Sequence, residues 1–300
     1  MKKLRTGTPF GVVFAFILPS FLGFTVFMLI PMISTLLLSF TNFSGSFSNI
    51  KWIGFLNYLR FFKSIRFLSS LWVTVKFVFF SVSIQLLLAF FFALLLNKQF
   101  RGRNFFRSII FLPSVLSSVA IAITFMLIFN PEKGPLNAFL LSLGFPAQPW
   151  LSSPKTALTT IIMVNVWQYV GYYMVLFLAG LQNINRSLYE SADLDGAGPW
   201  KKLIHITIPL LSPTTFFCLI MGIIRAFKVF DNIFIMTGGQ NGGGPANSTN
   251  VLVFDVYLNA FVNLRMGYAS ALSVILLAIV MIITIIQFQG QKKWVNYDIV

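Results

Sequence analysis

The chain has 300 residues, of which 57% are hydrophobic and only 10% charged, where soluble domains carry about 25% charged residues. With 36 Phe as well, this balance argues against a pair of soluble domains and for a polytopic membrane bundle, since several apolar runs exceed the roughly 20 residues that span a bilayer. The net charge of +15 is compatible in principle with nucleic-acid binding, but the Lys and Arg residues sit in short loops between apolar runs, the placement that orients membrane helices.

Met1-Lys2-Lys3-Leu4-Arg5 has the basic start of a signal peptide. The apolar run after it is too long for a signal core and lacks a clear small-residue cleavage site, so an uncleaved first membrane helix is expected. Six spans are predicted, at 10–39, 71–96, 108–129, 157–181, 213–236 and 268–288. Pro19 and Pro31 are expected kink or end points of the first. Each span is expected to be helical, because a segment in lipid must satisfy its own backbone hydrogen bonds. The predicted fold class is an all-α integral membrane protein with six transmembrane helices in a single permease domain, 1–300.

Between the first two spans, Trp52, Phe55, Tyr58, Leu59, Phe61 and Phe62 alternate with Lys51, Arg60, Lys63 and Arg66, a pattern suited to an amphipathic segment on the membrane surface. With the N-terminus inside, the inner segments carry twelve Lys and Arg and the outer ones seven. This bias places both termini in the cytoplasm. Lys76, near the outer end of the second span, is expected to snorkel to the interface. Cys218 and His205 are each the only residue of their type, so no intrachain disulfide and no metal site is expected.

Two loops are too rich in Gly and polar residues for plain connectors. The outer one, 237–265, begins Thr237-Gly238-Gly239-Gln240-Asn241-Gly242-Gly243-Gly244-Pro245. The inner one, 182–211, reads as a short acidic helix, a Gly break and a second short helix. Gly196 and Gly198 are expected to supply the positive φ that ends a helix, and Pro199 suits the first position of the next.

Glu190, Ala192, Asp195, Gly196, Ala197, Ile206 and Pro209 in the inner loop stand at the spacing of the Glu-Ala-Ala loop. The chain thereby resembles the permease subunits of binding-protein-dependent ABC importers. Ser191, Leu203 and Ile208 depart mildly from that pattern. Ile53-Gly54-Phe55-Leu56-Asn57-Tyr58, Asn97-Lys98-Gln99-Phe100-Arg101-Gly102-Arg103, Phe111-Leu112-Pro113, Phe129-Asn130-Pro131, Val166-Trp167-Gln168 and Phe227-Lys228-Val229-Phe230-Asp231 are similar to the sugar-transport branch, of maltose and glycerol-phosphate type. The stretch Gln240–Gly242 departs as an insertion.

The resemblance implies the type I ABC importer permease fold and a non-catalytic role. It also implies a bacterial cell (inner) membrane location, with the inner loop as coupling helix on a separate ATPase. Glu190, Ala192, Asp195, Gly196, Ala197 and Gly198 would make that contact. Implied partners are a second, related permease, two ATPase subunits that bind the ATP, an extracellular or periplasmic solute-binding protein and a sugar. No cofactor is implied for the chain itself, and no Gly-x-x-x-x-Gly-Lys-Ser/Thr loop occurs in it.

Asn165, Gln168, Tyr169 and Tyr172 recur at helical spacing on the fourth span, and Arg225, Lys228, Asp231 and Asn232 on the fifth. Polar groups within membrane helices are costly and often functional. Asn165, Gln168, Tyr169, Tyr172, Lys228, Asp231 and Asn232 are therefore candidate pathway residues, and the family's substrate contacts fall on these helices. The same groups also suit interhelical contacts, with Lys228 and Asp231 paired. A membrane enzyme lacks the expected motifs, with no His-Glu-x-x-His and no Gly-x-Ser-x-Gly. A secondary transporter without ATPase would have no need of the inner loop, and the same mechanism with a non-sugar solute remains an alternative.

Overall fold

The structure, a computed structural model, describes residues 10–46, 50–239 and 243–296. Met1–Arg5 and Gln240–Gly242 lie outside them. Among the described residues regular structure is helical, apart from one isolated antiparallel bridge between Thr41 and Trp52. In chain order the helices are α1 (Val12–Leu38), α2 (Leu56–Phe62), α3 (Ile65–Asn97), α4 (Arg103–Val115), α5 (Ser118–Ile128), α6 (Pro135–Ser142) and α7 (Ala157–Gln182). They continue as α8 (Arg186–Leu194), α9 (Pro199–Leu210), α10 (Ser212–Phe227), α11 (Asp231–Met236), α12 (Leu252–Val262) and α13 (Met266–Gln291).

By length and composition, α1, α3, α7 and α13 can each cross a membrane. Two bent pairs raise the number to six if each is one span: α4 with α5, at 97°, and α9 with α10, at 61°. The third predicted span, 108–129, is therefore no straight rod: it turns at Leu116-Ser117, just past Pro113, which cannot donate a helical hydrogen bond. The fifth, predicted as one helix over 213–236, stops at Phe227 and restarts at Asp231. Pro19 and Pro31 do not end the first helix. A π turn over Thr25–Leu29 precedes Pro31 and widens the helix where the ring would clash.

Two compact units are distinguished. One takes the chain up to Lys63 together with Val256–Ile275; the other takes Ser64–Asp255 and the chain from Leu276. Within the first, Asn57 is buried and ties α2 to the chain after α1, donating to the carbonyls of Ser39 at 2.9 Å and Thr41 at 2.8 Å. Phe40 stacks on Trp52 and meets Phe55 edge-on. On α2, Asn57 and Phe61 are buried while Leu59 and Phe62 are exposed, as are Trp52 and Phe55 before it.

The second unit is built around α7, whose apolar window is 67% buried against none of that of α1. Ala89 and Ala93 of α3 face Val170, Met174 and Phe177 of α7 in a single core with Cys218 of α10. Small residues let helix backbones approach where no hydrophobic drive separates lipid from protein. Helix α3 has 33 residues, about 50 Å at 1.5 Å each, so it outreaches a hydrocarbon core of about 30 Å. Lys76 lies over the Trp72 ring on this helix.

The described part of the loop after α11 is largely structured. Gly243 and Gly244 take positive φ, a short turn covers Pro245–Asn247, and α12 follows. Thr74 of α3 accepts the Leu252 amide at 2.9 Å, and Arg66 bonds Asp255 at 2.8 Å. Burial pushes the Asp255 carboxyl above its usual range, and the Arg66 charge beside it works against that shift.

Candidate functional site

The two polar faces meet at one cavity of about 310 Å³ on the α7, α10 and α11 side of the second unit. Asn165 and Tyr169 line it from α7, and Asp231 and Asn232 from the first turn of α11. Lys228 lines it from the break between α10 and α11. That break turns Asp231 and Asn232 away from the register a continuous helix would give them. Lys228 and Asp231 are both exposed and form no ion pair with each other among the described residues.

Gln168 and Tyr172 do not line the cavity but stand behind its wall. Gln168 is buried, donates to the Ser118 hydroxyl at 3.1 Å and accepts from the Asn232 amide at 3.3 Å. Ser118, on the first turn of α5, also shares a hydrogen bond of 3.2 Å with the Tyr169 hydroxyl. Gln168 thus joins three helices, α5, α7 and α11. Tyr172 and Tyr169 carry the Arg225 guanidinium at 4.7 and 4.3 Å from their ring centroids.

Three contributors were not among the predicted pathway residues. Ser118 and Arg225 line the cavity, and Gln85 of α3 holds Asn165, donating to its side-chain oxygen at 2.8 Å and its carbonyl at 3.0 Å. Gln85 carried a readable signal, an amide in an otherwise apolar run. Ser118 carried none.

Gln168→Ala should lower the melting temperature of the purified assembly, because it strips Asn232 of its amide partner and Ser118 of a donor. Leaving buried groups unpaired costs about 1–3 kcal/mol. An unchanged melting curve, followed by tryptophan fluorescence, would show that Gln168 does not hold this wall.

The second set of predicted residues forms a hairpin of α8 and α9. Asn185 caps α8, its side chain accepting the Ser187 amide at 3.0 Å. At the other end the Ala197 amide bonds the Ala192 carbonyl at 2.9 Å and the Gly196 amide bonds that of Asp193 at 3.1 Å. This paired closure needs a left-handed residue at Gly196, whose φ is +68°. Gly198 was expected to share that role and does not: its φ is −67°, and it precedes Pro199 at the start of α9. Tyr189 and Thr207 share a hydrogen bond of 2.9 Å across the hairpin, and Lys202 bonds Asp193. Glu190 is exposed and faces only Arg186, one helical turn away at 3.3 Å. Leu194 and Trp200, 91% and 74% exposed, stand on either side of the Gly turn.

The sequence profile of the binding-protein-dependent transport system inner membrane component matches residues 85–294. The chain belongs to that family. It is a multi-pass inner-membrane component of an ABC importer, a permease subunit without catalysis of its own. The permease is 40% identical to the probable ABC transporter permease protein YesP of Bacillus subtilis, over 99% of this chain and 96% of that protein. It is 33% identical to the arabinooligosaccharides transport system permease protein AraP of the same organism, over 92% and 87%. It is 35% identical to the trehalose/maltose transport system permease protein MalF of Thermococcus litoralis, over 90% of each. In fold it is similar to a chain of a bacterial alginate ABC transporter crystallised with an alginate pentasaccharide-bound periplasmic protein. The TM-score is 0.82, with 23% identity and 94% of each chain covered.

Proposed function

We propose that this permease forms one half of the membrane pathway of an ATP-driven carbohydrate importer, and that the hairpin of α8 and α9 couples it to ATP. The observation that carries the reading is the hairpin itself. Its tip exposes Leu194 and Trp200 beside a Gly turn, and large apolar groups standing out singly at a structured tip suit insertion into a cleft of a partner. Glu190 is free to exchange its weak Arg186 contact for a basic group on an ATPase subunit. Closure of two ATPase subunits would then move α9 and, through its 61° joint, α10, which carries a wall of the polar cavity.

Carbohydrate cargo is supported by relatives named for arabinooligosaccharides and for trehalose and maltose, and by the amides and hydroxyls around the cavity. The remaining parts of the machine are a related second permease, two ATPase subunits and a solute-binding protein outside. Both termini face the cytoplasm in this reading, on the side of the hairpin. The purified permease alone should show no ATPase activity. Reconstituted with these partners in proteoliposomes it should take up sugar only when ATP is enclosed. ATP hydrolysis by the isolated chain, or uptake that ignores ATP, would end the proposal.

A further inference from the structure

We propose that the cavity selects an anionic carbohydrate, a sugar bearing a carboxylate or a phosphate, and that Arg225 holds its charge. The proposal rests on the carbohydrate-importer reading and names the cargo class for the same cavity.

Arg225 lies in the last turn of α10, a predominantly apolar segment in which a cation is costly. Such a residue needs a compensating contact. Part of it comes from the rings of Tyr169 and Tyr172, at 4.3 and 4.7 Å, with Tyr173 farther off at 5.9 Å. Stacking of this kind fixes the guanidinium plane, but a ring face leaves the N–H donors in that plane without an oxygen.

At Nη1 that need is unmet among the described residues. Arg225 Nη1 is buried and has no hydrogen-bond partner. The ion pairs among the described residues lie elsewhere, at Arg66–Asp255, Arg186–Glu190 and Lys202–Asp193. Asp231 lines the same cavity without reaching Arg225 or Lys228. Two cations and one carboxylate therefore share the wall, an excess of one positive charge facing the cavity. Asn232, also on the wall, has its side-chain oxygen unpaired.

A planar guanidinium fork matches the paired oxygens of a carboxylate or phosphate, and such charge-assisted pairs are the strong ones. The open acceptor on Asn232 suits a sugar hydroxyl. A neutral sugar would reach Asn232 but leave the arginine without an anion. The tyrosine rings, occupied by the cation, serve here to hold Arg225 rather than to stack on the sugar.

The test uses the complete importer in proteoliposomes, given an equimolar mixture of maltodextrin and arabinan oligomers, oligogalacturonates and hexose 6-phosphates, with ATP inside. Mass spectrometry of the lumen reads what accumulates, and the two acidic members separate a carboxylate from a phosphate cargo. Enrichment of an acidic sugar is expected. Accumulation of neutral sugars at least as readily would overturn the charge assignment and leave the carbohydrate reading standing. Accumulation of no sugar would bring down both.

Arg225→Met should lower the acid-to-neutral ratio about tenfold, a loss of some 1.4 kcal/mol of selective binding, and Arg225→Lys should restore part of it. The binding protein is common to all three, so a change of ratio belongs to the permease. An equal loss of both classes in Arg225→Met would make the arginine a packing group for its tyrosines. Should that variant fail to assemble, the ratio for Arg225→Lys against that of the wild type still decides: an unchanged ratio would overturn the assignment.

Discussion

Gly171→Val should remove the permease from the membrane fraction almost completely. Gly171 sits on α7 where α4 crosses it. A Cβ there would lie 2.6 Å from the Ile110 carbonyl carbon and 2.7 Å from the Phe111 Cα, with the Ile110 oxygen nearer still. These are backbone atoms and cannot swing aside as a side chain would. Relief requires α4 and α7 to separate, which loosens the 97° corner between α4 and α5 and the Ser118–Gln168 bond beyond it. Overpacking a close-packed interior costs about 1–3 kcal/mol or more, and here the added volume is a branched side chain against main chain. Even Gly171→Ala should lower the yield. Gly23→Ala is the matched control, since the added carbon meets no atom within 4 Å. Immunoblots of membranes and the melting curve of the purified assembly read the outcome, and wild-type yield of Gly171→Val would refute the close approach.

The second large effect concerns coupling. Gly196→Leu and Glu190→Lys should each abolish most ATP-driven uptake while the permease still inserts and assembles. No atom lies within 4 Å of a Cβ at Gly196, so crowding is not the difficulty. The difficulty is its φ of +68°, a left-handed conformation that costs other L-residues about 1–2 kcal/mol. That is too little to unfold a membrane bundle, but enough to re-form an exposed turn and displace Leu194 and Trp200. Glu190 stands on the surface against Arg186, and such exposed pairs are worth about 0–1 kcal/mol, so reversing its charge leaves the chain folded. A fall in uptake of about tenfold or more, equivalent to some 1.4 kcal/mol of lost docking, with unchanged membrane yield is the expected pattern. Normal uptake in both variants would mean the hairpin does not transmit the ATP cycle.

Much of the candidate site was visible in periodicity, and the limits of periodicity explain the rest. The recurrence of Asn165, Tyr169 and Tyr172 put them on one side of α7, because a single helix obeys its own repeat; Asn165 and Tyr169 line the cavity there, and Tyr172 stands behind its wall against Arg225. The same reasoning applied to Arg225, Lys228 and Asp231 assumed one continuous helix. No Gly or Pro marks the break after Phe227, so it left no trace in the residue pattern, and the Lys228–Asp231 pair that a continuous helix would allow is not formed. Gln168 was placed on the pathway by spacing. In the structure it bonds Ser118 on α5 and Asn232 on α11, behind the cavity wall.

Apolar runs longer than a bilayer, separated by basic loops, settle a helical membrane protein from the sequence alone, because lipid offers no other way to satisfy a buried backbone. The hairpin was equally legible, since a Schellman closure needs a left-handed residue and Gly196 follows an acidic amphipathic turn. Which polar group meets which was decided only in three dimensions. Gln85 reaches Asn165 across 80 residues, and Arg225 comes to rest on two tyrosines of another helix. A buried polar group must find a partner, but the sequence states only the need; the crossing of helices, set by Gly171, Ala89 and Ala93 at their contacts, selects the partner.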